Sequence, residues 1–190
     1  MAVETFFLMG FRAMSDMIKE IFPPGEENAL VKSFNEFQSK DPEGRALLKL
    51  IEDILRKIKE IAFEDKGLRF HLIKQLEPAF GYKLVLKLDP IPPIAIAFNK
   101  NKDIFEVSNA TEKDMKEFPG IVFPFNLFKR FLVEDLDVLK FITEGQIQFE
   151  KFLELDEIIV RALLGFSSAY FLREKFRDQV IHELPTVLGG

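Results

Sequence analysis

The chain carries two histidines, His71 and His182, and no cysteine. A metalloprotease helix needs two imidazoles one turn apart with a glutamate between them, so that both face one ion. These two stand far apart in the sequence, and His182, next to Glu183 near an expected helix end, reads as a cation favoured by the local dipole. Without thiols there are no disulfides, no thiolate nucleophile and no Cys-ligated zinc or iron–sulfur site. The neighbours Glu134-Asp135 and Asp156-Glu157 offer carboxylates for an acid/base couple. Such couples are set by separation in space across a substrate, however, and adjacent acids are ordinarily solvated helix starts. Ser167-Ser168 lies in an apolar helical stretch without a nucleophile-elbow pattern. The scattered glycines form neither a P-loop nor a dinucleotide loop. Lys129-Arg130, beside Phe128 and Phe131, could touch an anionic head group or simply form the wet side of a helix. No catalytic residue, metal or cofactor is expected, and the chain reads as no enzyme. A carboxylate-based hydrolase or isomerase is the third choice, to be revived by acids clustered with His71 in a cleft.

Composition narrows the partners. Lys and Arg number 26 against 31 Asp and Glu, a formal charge of -5, so the basic footprint of a phosphate-backbone binder is missing and nucleic acid is excluded as an expected partner. Phe occurs 22 times beside no Trp and two Tyr. Those rings either fill a core or line a cavity, since small-molecule pockets are mostly apolar and aromatic. Absent Cys fits a cytoplasmic location, and with abundant Lys and Glu it is compatible with a thermophilic source. The start, MAVETFFLMGFRAMSDMIKEIF, lacks the cationic opening and cleavage site of a secretory signal and is expected to stay on the mature chain. The apolar stretch Ile158 to Leu172 is interrupted by Arg161 and falls short of the roughly 20 residues that span a bilayer, so no transmembrane segment is expected.

The elements that must position any site follow from periodicity. Val3, Phe6, Phe7, Met9, Phe11, Met14, Met17, Ile18 and Ile21 recur at helical spacing before Pro23-Pro24-Gly25 breaks the run. A second short helix is expected from Glu27 to Phe37, and residues 1–40 together read as a helical appendage to a domain over 41–190. Asp41-Pro42 forms an N-cap and first-turn proline for a long helix whose stripe is Leu47, Leu50, Ile51, Ile54, Leu55, Ile58 and Ile61. Leu68 to Phe80 reads as another helix, ended by Pro78 and Gly81. The period then becomes two. Leu84, Leu86 and Leu88 mark a strand over Tyr82 to Leu88, Ile94, Ile96 and Phe98 a second, and Ile104 to Val107 a third, joined as an antiparallel meander. After a polar helical turn at Thr111 to Glu117, a fourth strand is expected with Ile121, Phe123 and Phe125 on one face. A helical stretch from Phe128 to Phe141 follows, divided near Glu134-Asp135. Gly145 opens a fifth strand, Gln146 to Lys151, and helices are expected over Leu155 to Leu164 and Ser168 to His182.

From Asp41 to Leu164 this order of elements resembles the sterol carrier protein 2 family. The resemblance is carried by the helix Pro42 to Ala62, the meander YKLVLKLD, PIAIAFNK and DIFEVSN, the strand GIVFPF, the run VEDLDVLKFITEGQIQFEK and the helix LDEIIVRALL. Gly145, Ile147 and Phe149 stand where the family passes from helix to glycine to alternating strand. Where many members repeat a glycine after that strand, this chain has Lys151. The resemblance implies an α+β fold, with a five-stranded mixed, mostly antiparallel sheet covered by helices on one face. It also implies an apolar tunnel for sterols, fatty acyl chains or isoprenoid-like lipids, without catalytic residues.

The residue pattern points to the same interior. Leu84, Leu86, Ile96, Phe98, Phe123, Ile147 and Phe149 from the sheet and Phe128, Phe131, Leu132 and Leu139 from the helices are the expected lipid-binding positions. The expected function is non-catalytic binding or transfer of an apolar small molecule. The rival is an assembly module with a fully packed core, in which the N-terminal helices make a docking or homodimer face. Transient membrane contact through the Met- and Phe-rich N-terminal helix is a further expectation.

Overall fold

In the computed structural model, residues 2–25, 32, 35–36, 45–63, 66–89, 91–100, 104–151, 164–165, 167–168 and 171 are described. They form an α+β fold of six α-helices and one five-stranded sheet. Helix α1 is Ala2–Ile21, α2 is Arg45–Phe63 and α3 is Lys66–Leu76, which tightens into a 3₁₀ turn at Glu77–Ala79. The meander β1 (Lys83–Lys87), β2 (Ile94–Phe98) and β3 (Phe105–Asn109) leads to α4 (Glu112–Glu117) and β4 (Gly120–Val122). Helices α5 (Phe125–Val133) and α6 (Val138–Thr143) then precede β5 (Gln148–Glu150). The expected second helix falls almost wholly outside the described residues, as do the Asp41-Pro42 cap and nearly all of the two C-terminal helices.

The sheet runs β3-β2-β1-β4-β5, antiparallel throughout except for the parallel pair β1 and β4. Leu84 pairs with Ile96, Ile96 with Val107, Phe98 with Phe105, Leu86 with Ile121 and Ile121 with Phe149. Because side chains alternate at every residue of a strand, this register puts all of those apolar groups on one face. Lys83, Val85, Lys87, Ala95, Glu106, Gly120 and Glu150 take the other. Buried residues of α1, α2, α3, α5 and α6 join the apolar face in one cluster. Met17 of α1, within the span expected as an appendage, is fully buried in that cluster.

Helices do not cover one face alone. Helix α4 lies against the polar face, where the Lys83 ammonium donates to the Asp114 carboxylate at 2.7 Å and Val85 and Ala95 are buried. Thr111 caps α4 reciprocally: its hydroxyl accepts from the Asp114 N–H at 3.1 Å, and the Asp114 carboxylate accepts from the Thr111 N–H at 2.9 Å. A buried carboxylate with this many donors stays ionised. The Lys83 hydrogen bond, followed by those from Thr111, lowers the Asp114 pKa to about 2, against the opposing pull of burial.

Two strands end sooner than the alternation suggests. The fourth stops at Val122 because Pro124 has no N–H to give a ladder and instead stands at the N-cap of α5, whose first residue is Phe125. Phe123 still donates its N–H to the Lys87 carbonyl at 2.8 Å. Phe125 therefore belongs to a helix, not to the strand face shared by Ile121 and Phe123. The fifth strand is confined to Gln148–Glu150. Gly145 before it has φ +73°, and Lys151 after it has φ +55°, a left-handed backbone that a lysine enters at a cost.

Two outcomes follow. In Lys151→Gly the strain is relieved, and thermal unfolding should show a gain of about 1 kcal/mol, or about 2–4 °C in Tm; an unchanged or lower Tm contradicts the conformation. The Asp114 pKa is depressed on folding, so its contribution is complete above the ordinary aspartate range and is lost as the pH falls through about 2. Denaturant titrations should therefore show Asp114→Asn less stable than wild type at neutral pH, with the gap closing at the acid end.

Candidate functional site

The strongest candidate region is the apolar sheet face with the helices above it. Leu84, Phe98, Phe123, Phe128 and Ile147 are buried together there, at between 2% and 9% exposure. Phe123 and Phe128 meet edge to face, centroids 5.9 Å apart at 88°, and Phe98 meets Phe105 similarly at 5.9 Å. Leu86, Ile96, Phe131 and Phe149 pack against the cluster but stay half-buried. Phe149 is met by Phe11 of α1 at 5.7 Å. Nine of the eleven expected positions are thus brought to one interior.

The other two differ. The Leu132 side chain lies outside the described residues. Leu139 is absent from the cluster and instead lines a groove of about 280 Å³ between α1 and the α5–α6 connection, beside Arg12, Asp16 and Lys19. The cause is local. Asp137 caps α6 by accepting the Leu139 N–H at 3.1 Å, which fixes the helical phase with Val138 pointing inward at 5% exposure. Its neighbour, turned about 100° around the axis, points elsewhere. Phe105 and Val107 were missed as members of the face, although extending the alternation across the meander would have found them, and Ile94, read on the same alternating face as Ile96 and Phe98, was left out of the expected binding positions.

Among the described residues, those that could do chemistry are dispersed. Arg130 makes a two-pronged pair with Glu134, at 3.0 and 2.8 Å, and these hydrogen bonds hold the Glu134 carboxyl below its ordinary pKa. Asp135 instead accepts from Lys19 of α1 at 2.6 Å. The two neighbouring acids are therefore engaged by different cations. Lys129 sits 5.5 Å from the Phe125 ring centroid, a cation–π contact. Ser167 is fully buried. The side chain of His71, and all of His182, Asp156 and Glu157, lie outside the described residues. Among the described residues no three His, Cys, Asp or Glu side chains form a group that could hold a metal ion, and no helix is long and apolar enough to cross a membrane.

A second groove, of about 540 Å³, runs between α2 and β3. Its apolar part is Leu55, Phe105 and Val107, and charged side chains of both signs rim it, including Arg56, which pairs with Asp53 at 2.8 Å.

Comparisons with family models, with curated proteins and with solved structures find no match.

The aromatic contact at the heart of the cluster is measurable. Phe128→Ala should cost about 3–5 kcal/mol in chemical denaturation. A double-mutant cycle with Phe123→Ala should return a coupling of about 0.5–1.5 kcal/mol. Additive effects would place the two rings apart.

Proposed function

We propose that this chain binds an apolar, lipid-like small molecule against the inner face of its sheet, without acting on it chemically. The observation that carries the reading is the state of Leu86 and Ile96. They stand on the apolar face of β1 and β2, the third and second strands of a sheet of five, where a closed core would bury them. Both remain half-buried while Leu84, Ile94 and Phe98 around them are closed off. Apolar surface left accessible beside the closed part of the cluster is surface that an apolar guest can remove from water.

Magnitude selects the guest. Burial gains about 0.8 kcal/mol per methylene, against an association cost of about 4–15 kcal/mol. A ligand must therefore bury on the order of ten carbons to remain bound, which suits acyl chains, sterols and isoprenoids and disfavours short metabolites. The resemblance of the sequence to the sterol carrier protein 2 family supports the same reading, as does the five-stranded mixed sheet, which that resemblance implies.

The assembly reading draws less support. Helix α1 buries Met17 in the core and packs Phe11, Met14 and Ile18 against it, so these apolar groups of the helix are engaged within the chain, while Met9 remains exposed.

Native mass spectrometry of the full chain, before and after solvent extraction, and titration with a fluorescent fatty-acid probe test the proposal together. Extractable adducts and saturable probe binding are expected. Leu86→Phe should fill accessible space, weakening the probe about tenfold, equivalent to about 1.4 kcal/mol, with no loss of Tm. A chain that is empty and ignores the probe overturns the reading. So does a Leu86→Phe variant that loses about 1–3 kcal/mol by overpacking while leaving the probe unaffected.

A further inference from the structure

The sheet has two edges, and they are treated differently. At one, β5 is three residues long and Phe11 of α1 lies against its central Phe149. At the other, β3 is five residues long, pairs among the described residues with β2 alone, and borders the groove of about 540 Å³ beneath α2. An edge strand presents main-chain donors and acceptors to whatever lies beside it.

The register tells which groups these are. Phe98 exchanges hydrogen bonds with the β1 side, its N–H donating to Tyr82 at 3.1 Å and its carbonyl accepting from Gly81 at 3.0 Å. Asn99, one residue on, donates to Ile104 across the β2–β3 pair at 2.9 Å. Since these directions alternate along a strand, Ala97 and Ala95 bond to their partners Glu106 and Ser108. Val107 and Asn109 therefore aim their N–H and C=O away from β2, and among the described residues neither main chain has a partner there. The Val107 side chain points to the apolar face and lines the groove with Leu55. Glu106 and Ser108 are exposed on the opposite face.

We propose that β3 takes up an extended peptide as a sixth strand, its backbone pairing with Val107 and Asn109 and alternate side chains entering the groove under α2. The chemistry of the peptide follows from the two faces. Residues turned toward the groove meet its apolar floor of Leu55, Phe105 and Val107, inside a charged rim whose signs are mixed, and an apolar side chain gains most there. Those turned the other way stand opposite Glu106 and beside Ser108, where cross-strand pairing favours Lys or Arg. The ligand is a short segment in which apolar and basic residues alternate, drawn to a chain whose formal charge is -5. This surface is separate from the half-buried Leu86 and does not rest on the lipid reading.

The test uses the full chain, isotope-labelled, and three eight-residue peptides: one alternating Val and Lys, the same with Glu for Lys, and the Val/Lys peptide N-methylated on one edge. Saturable amide shifts centred on residues 105–109 are expected with Val/Lys, and binding at least about tenfold weaker, a loss of about 1.4 kcal/mol, with each of the others. Glu106→Lys should reverse the preference between the Lys and Glu peptides. Val107→Pro should abolish binding, because it removes an outward donor while sparing the β2 ladder. Equal binding of the N-methylated peptide, shifts that lie elsewhere, no reversal in Glu106→Lys, or no binding at millimolar peptide overturns the proposal.

Discussion

The parallel pairing of β1 with β4 is the constraint on which the rest of the structure depends. A meander alone would have added the fourth strand beside β3. Instead the chain leaves β3 at one edge, crosses the polar face as α4, and enters the sheet on the far side of β1, with Gly120 opposite Val85. Two parallel strands cannot be joined by a hairpin, so the crossover needs an element of its own to hold it to the sheet. Asp114 supplies that hold, since the carboxylate that caps α4 also accepts from Lys83 of β1. One side chain thus defines the start of a helix and fastens it to the strand it must pass.

The crossover in turn divides the two faces. With α4 on the polar side, the remaining helices are free to converge on the other, and residues of α1, α2, α3, α5 and α6 complete one cluster there. The polar face is stitched by charge. Lys87 of β1 bonds to Glu150 of β5 across the intervening β4, whose Gly120 has no side chain to obstruct the path; a Cβ at that position would lie 3.3 Å from the Glu150 carboxylate. Exposed pairs of this kind contribute little energy individually. Their effect here is to keep acids and bases in pairs on the outside and to leave the interior to leucine, isoleucine and phenylalanine. A lipid-like guest is the natural proposal for such an interior, because accessible apolar surface persists beside the closed part of the cluster.

What could be read from residue order was what depends on neighbours along the chain. The meander was legible because Leu84, Leu86, Ile96 and Phe98 alternate with lysine and alanine, and the division of the α5–α6 region was legible near Glu134-Asp135. The fourth strand was overextended because Phe123 and Phe125 keep the period of two, whereas Pro124 between them ends the ladder and begins a helix. Leu139 was misplaced for a related reason. An apolar residue near a helix start shows its type but not its phase, and the phase came from the Asp137 cap.

By itself, then, the sequence determined the kind of protein this is: α+β, acidic, without cysteine, and with an alternating set of large apolar groups, all consequences of composition and local period. Only the tertiary structure decided the partners across space. The parallel β1–β4 pair, α4 on the polar face, Met17 inside the core, and the capture of Asp135 by Lys19 all join residues remote in the chain. Periodicity constrains which way a side chain faces. It does not constrain which distant element comes to meet it, and that is settled by packing and charge once the strands have paired.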